Sequence, residues 1–439
     1  MKSPSSFPTR FASPAAALFF AIAAIGVNSS VTADVGTGGL LSFRGQTMGT
    51  TYSVKVAPPH DLSDDVQLDI DAELRRVNDQ MSTYLRTSEI TRFNESDSTD
   101  WFEVSPETAT VVEYAQQVSE QTGGAFDITV APLVDAWSFG PAPRSEQIPS
   151  DDDIEKIRQQ TGYERLRVRT DPPGLLKLVP ELRIDLSAIA KGHGVDRIVD
   201  LLTSRGATNV FVEIGGEVRA VGKKPEGPWK VGIQDPATIG TQPAVAWRLV
   251  DRSIATSGDY RNFFEVDGIR YSHTIDPKTG RPVTHQVASV SVLAESCMVA
   301  DAWATAINVL GTEKGLPLAV KNNLDVLTYQ RTADGFDANG VGAFAKLAQA
   351  ETPPAESSFW SQVLPLAFVT MIFLGIVVTG MAVGVMFGRK AIGGSCGGLA
   401  SMQNEDGSTS CSLCSNPSDA CKELRDKMER KEAEPASNV

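Results

Sequence analysis

Residues 363–387 (VLPLAFVTMIFLGIVVTGMAVGVMF) run for 25 positions without a charge. As a helix rising about 1.5 Å per residue, such a run reaches past a hydrocarbon core of about 30 Å. Arg389 and Lys390 follow directly, and basic residues at a helix end mark its cytoplasmic side. The competing assignment is a buried helix of a soluble domain. The N-terminus adds a second apolar signal. Lys2 and Arg10 precede an uncharged stretch, with an apolar centre at 15–27 and Val31-Thr32-Ala33 after it. That is the three-part pattern of a secretory signal peptide over residues 1–33, with an uncleaved anchor helix as the alternative. No cysteine follows the run, which excludes a lipoprotein anchor. Both signals place an N-terminal body outside the cell membrane, one crossing helix, and a tail from 388 to 439 inside.

Charge and cysteines divide the same way. The 439 residues include 40 basic and 54 acidic ones, for a formal charge of −14. The tail from Arg389 has seven basic and eight acidic residues and the first 33 residues have two basic ones, so residues 34–388 hold −15. An acidic body is unsuited to nucleic acid, which demands a basic face, and to direct binding on an anionic membrane surface. With 41% hydrophobic and 21% charged residues the chain can bury a core. Cys297 is alone in the body, whereas Cys396, Cys411, Cys414 and Cys421 all lie in the tail, so the body is not a disulfide scaffold.

Residues 34–41 and the Pro- and Ser-containing 351–362 read as linkers around the body. Within it, Thr50–Val56 alternates like a strand. Val66, Ile70, Leu74, Val77 and Met81 recur at helical spacing, with Asp64 as expected N-cap. Ser105-Pro106 opens a second helix that Gly123-Gly124 stops. Residues 182–186, 210–214, 218–221, 229–233 and 288–293 read as strands. Strands and helices do not alternate strictly, so an α+β fold is expected rather than a doubly wound sheet.

Four polar, Gly-bearing stretches stand out. In 185–194 (DLSAIAKGHG) an extended segment of small residues leads into a helix expected near His193, whose N-terminal N–H groups suit an anion. Lys191 there suits a phosphate, or is simply solvated. Glu213-Ile-Gly215-Gly216-Glu217 is either a plain hairpin turn or part of a site. His273 stands on an expected strand before the Asp276-Pro-Lys-Thr-Gly280 turn and is a candidate general base. Asp301 and Thr305 share one helix face in an apolar stretch. A buried Asp needs a partner or a cation, and a carboxylate with a hydroxyl is a hard-oxygen set for Mg²⁺ or Ca²⁺.

These stretches occur in order with Gly45-Gln-Thr47-Met48-Gly49-Thr50, Met81-Ser-Thr-Tyr84, Gly124-Ala-Phe126-Asp127 and Ser257-Gly258-Asp259-Tyr260. Over residues 42–348 that order resembles the FAD:protein FMN transferases of the ApbE family. The resemblance implies a two-lobed flavin transferase domain, taken here as 34–350, that moves FMN from FAD onto a threonine hydroxyl of a partner protein and releases AMP. It implies FAD contacts from Met48, Tyr84, Phe126, Asp127, Asp185, Lys191 and Ile275. It also implies Mg²⁺ ligands in Asp301, Thr305 and the Ala188 carbonyl, with His273 as the catalytic candidate. His193-Gly194 departs from the family pattern, where an aromatic residue and alanine are common, and is expected to change the pocket wall. The alternatives are FAD binding or hydrolysis without transfer, or a membrane assembly factor and metallochaperone.

Residues 366–421 are similar to the small membrane protein that matures the Na⁺-translocating NADH:quinone reductase (NqrM type). That resemblance implies help with iron delivery. The tail spacing C-x14-C-x2-C-x6-C has one CxxC, unlike a fixed zinc ribbon, and four thiols in a reducing compartment favour a labile iron or cluster site over disulfides. Free thiols in a charged tail are the alternative. The flavin-acceptor subunits of that reductase, or of a related electron-transport complex, are the implied partners.

Overall fold

The computed structural model describes residues 34–35, 39–63, 65–141, 148–234, 236, 243–258, 263–266, 269–347, 370–372, 374–375 and 379. The signal-peptide segment, the 351–362 linker, the four tail cysteines, Asp64, Asp259 and Tyr260 lie outside them, as does most of the 363–387 run. Among the described residues no helix is long and apolar enough to cross a membrane.

The body is built on one nine-stranded sheet. Its strands are Asp34–Val35, Leu41–Thr47, Thr50–Val56, Val210–Ile214, Glu217–Val221, Arg252–Gly258, Val287–Ala294, Asp325–Thr332 and Gly335–Val341. Their spatial order is their chain order, and every neighbouring pair is antiparallel. The sheet is therefore a meander interrupted by four insertions, an α+β arrangement without βαβ units.

Residues 57–209 insert most of the helices, together with a three-stranded sheet of Phe102–Glu103, Leu166–Thr170 and Pro173–Lys177. Residues 222–251 insert the hairpin of Trp229–Gln234 with Pro243–Leu249. Residues 259–286 insert the pairs Phe263–Val266 with Ile269–Ser272 and Ile275–Asp276 with Arg281–Pro282. The fourth insertion is the Cys297–Lys321 helix, kinked at Gly311, where φ is 74°.

Local sequence explains the elements. In Thr50–Val56 the residues Tyr52, Val54 and Val56 point into a core. In Val66–Met81 the five apolar positions at helical spacing are all buried. Its N-cap residue is Asp65, in right-handed helical geometry and without a side-chain cap, in place of the expected Asp64. Ser105 caps Pro106–Thr122 by accepting from the Thr108 N–H, and Gly123 ends it in the left-handed conformation that only glycine adopts readily. The Val287–Ala294 strand is buried at every position, as a central strand covered on both faces must be.

Three further expectations change. Residues 34–41, read as a linker, include the edge strand Asp34–Val35, which pairs with Leu41 and Ser42. Residues 182–186 are not a strand. They carry no regular secondary structure, and Asn94 takes the place of a ladder partner: its amide nitrogen donates to the Ile184 carbonyl at 2.8 Å, and its oxygen accepts from the Ile184 N–H at 2.8 Å. The helix expected near His193 begins three residues earlier, as Ala190–Ser204.

Candidate active site

One open cleft of about 1190 Å³ lies in the body. Met48, Tyr84, Phe126, Asp127, Asp185, Ala188, Lys191, His273, Ile275, Asp301 and Thr305 all line it. They come from the sheet's turns and its insertions, far apart in the chain.

The centre of the cleft is a knot of charge. Lys191 Nζ donates to Glu217 Oε1 at 2.8 Å and stands 3.7 Å from Asp301 Oδ1. Burial pulls the Lys191 ammonium down, but the Asp301 and Glu217 carboxylates outweigh it and hold the group charged. Asp301 Oδ2 accepts the Gly192 N–H at 2.9 Å. Burial nevertheless pushes the Asp301 carboxyl up to about 6, with Lys191 opposing the rise. Such close approach requires Gly192: a Cβ there would stand 2.4 Å from the Cys297 carbonyl oxygen and 2.8 Å from the Asp301 Cβ.

Glu217 follows the Gly215-Gly216 turn, where φ is 63° and 114°, and Ile214 pairs with Glu217 across it. The two open readings of this motif thus both hold: it is a hairpin turn, and it presents a cleft residue. Glu217 is 4% exposed, and its Oε2 has no hydrogen-bond partner among the described residues.

Met48 and Gly49 form the two-residue turn between paired Thr47 and Thr50, both with positive φ. That geometry sets the Met48 side chain against Gly194, where a Cβ would meet its Cε at 2.9 Å. Gly194 thus backs onto Met48, a lining residue, without itself lining the cleft. His193 is not among the lining residues; it is buried in the helix, and burial lowers its imidazole to about 4.

Asp127 accepts from the Thr129 N–H and hydroxyl and from the Tyr163 N–H, at 2.8, 2.7 and 2.8 Å. Burial pushes its carboxyl up to about 6 against those bonds. Asp185 accepts the Ser187 N–H at 2.8 Å, and burial raises its carboxyl as well. Phe126 and Ile275 are buried, whereas Tyr84 is 67% exposed on the loop after Met81. His273 sits on a bend between Ile269–Ser272 and Ile275–Asp276, not on a strand. Phe139 meets its ring edge-on at 6.3 Å, and a cluster of Leu133, Trp137, Phe139, Phe264 and Ile275 braces this corner. The Trp137 indole N–H fastens it by donating to the Gly280 carbonyl at 2.8 Å.

The donor chemistry fits a hard divalent cation. Lys191 and Glu217 balance each other, which leaves Asp301 without a full counter-charge. Thr305 follows it by about one helical turn, and Ala188 lies in the turn that opens the neighbouring helix. Sequence reasoning did not assign Glu217, although its Gly-Gly-Glu motif was visible. Arg75 and Asp79, which also line the cleft, carry no local signal that sets them apart from other charges on a helix face.

An antiparallel meander with a cleft built from its turns and insertions, around a buried cluster of two carboxylates and one lysine, defines a protein with one ligand-sized site whose donors suit a hard cation. The chain belongs to the ApbE family, whose model matches residues 48–328. It is similar to the FAD:protein FMN transferase of Vibrio cholerae, at 46% identity over 68% of this chain and 90% of that protein. The FAD:protein FMN transferase of Haemophilus influenzae is 41% identical over 71% of this chain and 92% of that one. Among solved structures, the flavin transferase ApbE from Vibrio cholerae superposes with a TM-score of 0.64 at 44% identity, covering 70% of this chain and 98% of that one. The apo flavinyl transferase ApbE of Pseudomonas stutzeri gives 0.65 at 37% identity, over 73% and 100% of the two chains. Residues 385–434 match a second family model, (Na⁺)-NQR maturation NqrM.

Proposed function

We propose that this chain is an exported, membrane-anchored, Mg²⁺-dependent FAD:protein FMN transferase. It would attach FMN to a threonine hydroxyl on subunits of the Na⁺-translocating NADH:quinone reductase or a related complex. The observation that carries the reading is that the eleven residues the family resemblance implies, scattered from Met48 to Thr305, all line one cleft around Asp301, Lys191 and Glu217. Family membership and relatives named for this activity support it.

In the proposed reaction the threonine oxygen attacks the FMN phosphorus of FAD. The bond from that phosphorus to the bridging oxygen breaks, and AMP leaves with the electron pair. The hydroxyl proton passes to His273. Lys191, kept charged by its two carboxylates, faces the pyrophosphate with a fixed positive charge. Asp301, Thr305 and the Ala188 carbonyl would hold Mg²⁺, which neutralises charge on the pyrophosphate oxygens. Met48, Tyr84, Phe126, Asp127, Asp185 and Ile275 would shape the FAD site, with the exposed Tyr84 ring placed to cover a ring system.

The match of residues 385–434 supports a second role for the tail. Cys396, Cys411, Cys414 and Cys421 would handle iron on the cytoplasmic side while the 34–350 body works on the periplasmic side, with 363–387 as the single crossing helix. The test combines purified full chain with FAD, Mg²⁺ and an acceptor subunit, and maps flavin on the acceptor by peptide mass. Flavin on one threonine is expected, lost with Asp301→Ala and retained with Cys396→Ser. An intact acceptor left without flavin by the wild type refutes the transfer.

A further inference from the structure

The Cys297–Lys321 helix carries both Asp301 and Thr305, so the seating of its first turn decides where those oxygens stand. Ser296 caps the helix by accepting the Val299 N–H. A carboxylate from another helix holds the rest of the turn. Asp196, on Ala190–Ser204, accepts the Cys297 N–H at 2.9 Å, the Met298 N–H at 2.9 Å and the Ser296 hydroxyl at 3.0 Å. Arg219 donates to the same carboxylate at 2.7 Å. A negative charge there satisfies otherwise unpaired N–H groups and sits at the positive end of the helix dipole. Asp196 is 9% exposed and does not line the cleft.

The arrangement repeats the one at the centre of the cleft. Lys191 and Asp196 share one helix, and Glu217 and Arg219 share one strand. Lys191 with Glu217 and Asp196 with Arg219 form two oppositely directed ion pairs between the same two elements. Each pair also reaches the third element: Lys191 at Asp301, and Asp196 at the helix start. The Gly192 N–H then meets Asp301 at 2.9 Å. With no room for a Cβ at Gly192, a small slide of the helix start changes the setting of the Asp301 carboxylate.

We propose that Asp196 is a positioning residue for the cation site: it fixes the Asp301 carboxylate by pinning the first turn of the helix that bears it. The inference rests on the Mg²⁺ reading given above. The test uses the full chain carrying Asp196→Asn, with folding checked by circular dichroism. Flavin fluorescence is followed as Mg²⁺ is titrated into FAD and protein without acceptor, and Mn²⁺ binding is read directly by electron paramagnetic resonance. Half-saturation by either metal should rise about tenfold or more, the usual effect of losing a group that orients a metal ligand. Flavin affinity at saturating Mg²⁺ should barely move. A purely structural cap would lower only the melting temperature, so half-saturation within about twofold of wild type overturns the proposal. If Asp196→Asn fails to fold, Asp196→Glu, which keeps the charge facing Arg219 but displaces the oxygens from the Cys297 and Met298 N–H groups, must raise half-saturation, and an unchanged value overturns the proposal. Asp301→Asn separates the two readings. If it leaves the Mg²⁺ response intact, the metal reading falls and takes this inference with it. If it abolishes the response while Asp196→Asn does not, only this inference falls.

Discussion

Asp301 joins the sequence's prediction to the structure's physics. An aspartate in an apolar helical stretch needs a partner or a cation, and it has Gly192 N–H and Lys191, yet burial still lifts its carboxyl to about 6. The sign of the pH effect follows. Below about 6 the group is protonated and neutral, so it neither holds a cation nor pairs with Lys191. Mg²⁺ affinity, read by flavin fluorescence, is therefore expected to fall as pH drops through about 6 and to level off above it. For stability the sign is opposite: the folded chain binds this proton more tightly than the unfolded one, so this group's contribution shrinks as pH rises from the ordinary carboxylate range through 6. His273→Ala should cut transfer by about 10²–10⁴-fold, the span of general-base catalysis, and leave FAD binding intact. A slow loss of binding in place of a rate defect would contradict that role. Met48, Tyr84, Phe126, Asp127, Asp185, Ile275 and the Ala188 carbonyl came from the family resemblance alone, whereas Asp301, Thr305 and Lys191 were legible in their own stretches, because such polar groups are rare in small, apolar surroundings. Glu217 and Asp196 were not, since an acidic residue in a strand or helix gives no sign of which distant N–H or ammonium it meets.

At the scale of elements, helix and hairpin ends were readable where capping chemistry is local. Ser105-Pro106, Gly123 and the Gly215-Gly216 turn each specify their own geometry. Residues 182–186 were not readable, because the alternation that suggests a strand says nothing of the partner. Here Asn94 serves instead of a ladder. The contact of Ala190–Ser204 with Cys297–Lys321 depends on Gly192. Gly192→Ala puts a methyl group against the Cys297 carbonyl and the Asp301 Cβ, neither of which can turn away. Overpacking of this kind costs about 1–3 kcal/mol. A lower melting temperature and weakened Mg²⁺ binding are expected together in calorimetry and fluorescence. A variant with unchanged melting and binding would mean that the two helices are free to separate.

For the whole molecule, the nine-strand meander was hidden by its insertions: Val56 and Val210 pair across more than a hundred and fifty residues that carry most of the helices. The α+β character was visible, but the order of strands was not. The same insertions bring the cleft residues together, which is why motifs scattered from Met48 to Thr305 form one site. The proposed topology predicts a labelling pattern. In sealed cells a membrane-impermeant maleimide should then miss all five cysteines, because Cys297 is buried with its thiol pushed well above the usual range and the proposed topology would put the other four in the cytoplasm. Opened cells should label the four tail cysteines, and labelling of any of them in sealed cells would reverse the orientation. The central claim is that this cleft moves FMN onto a protein hydroxyl. The most direct measurement follows AMP release and protein-bound flavin together, using the full chain with FAD, Mg²⁺ and an acceptor subunit. Equal amounts of the two, appearing in step, are the predicted result; AMP released with FMN free in solution and a bare acceptor would contradict it.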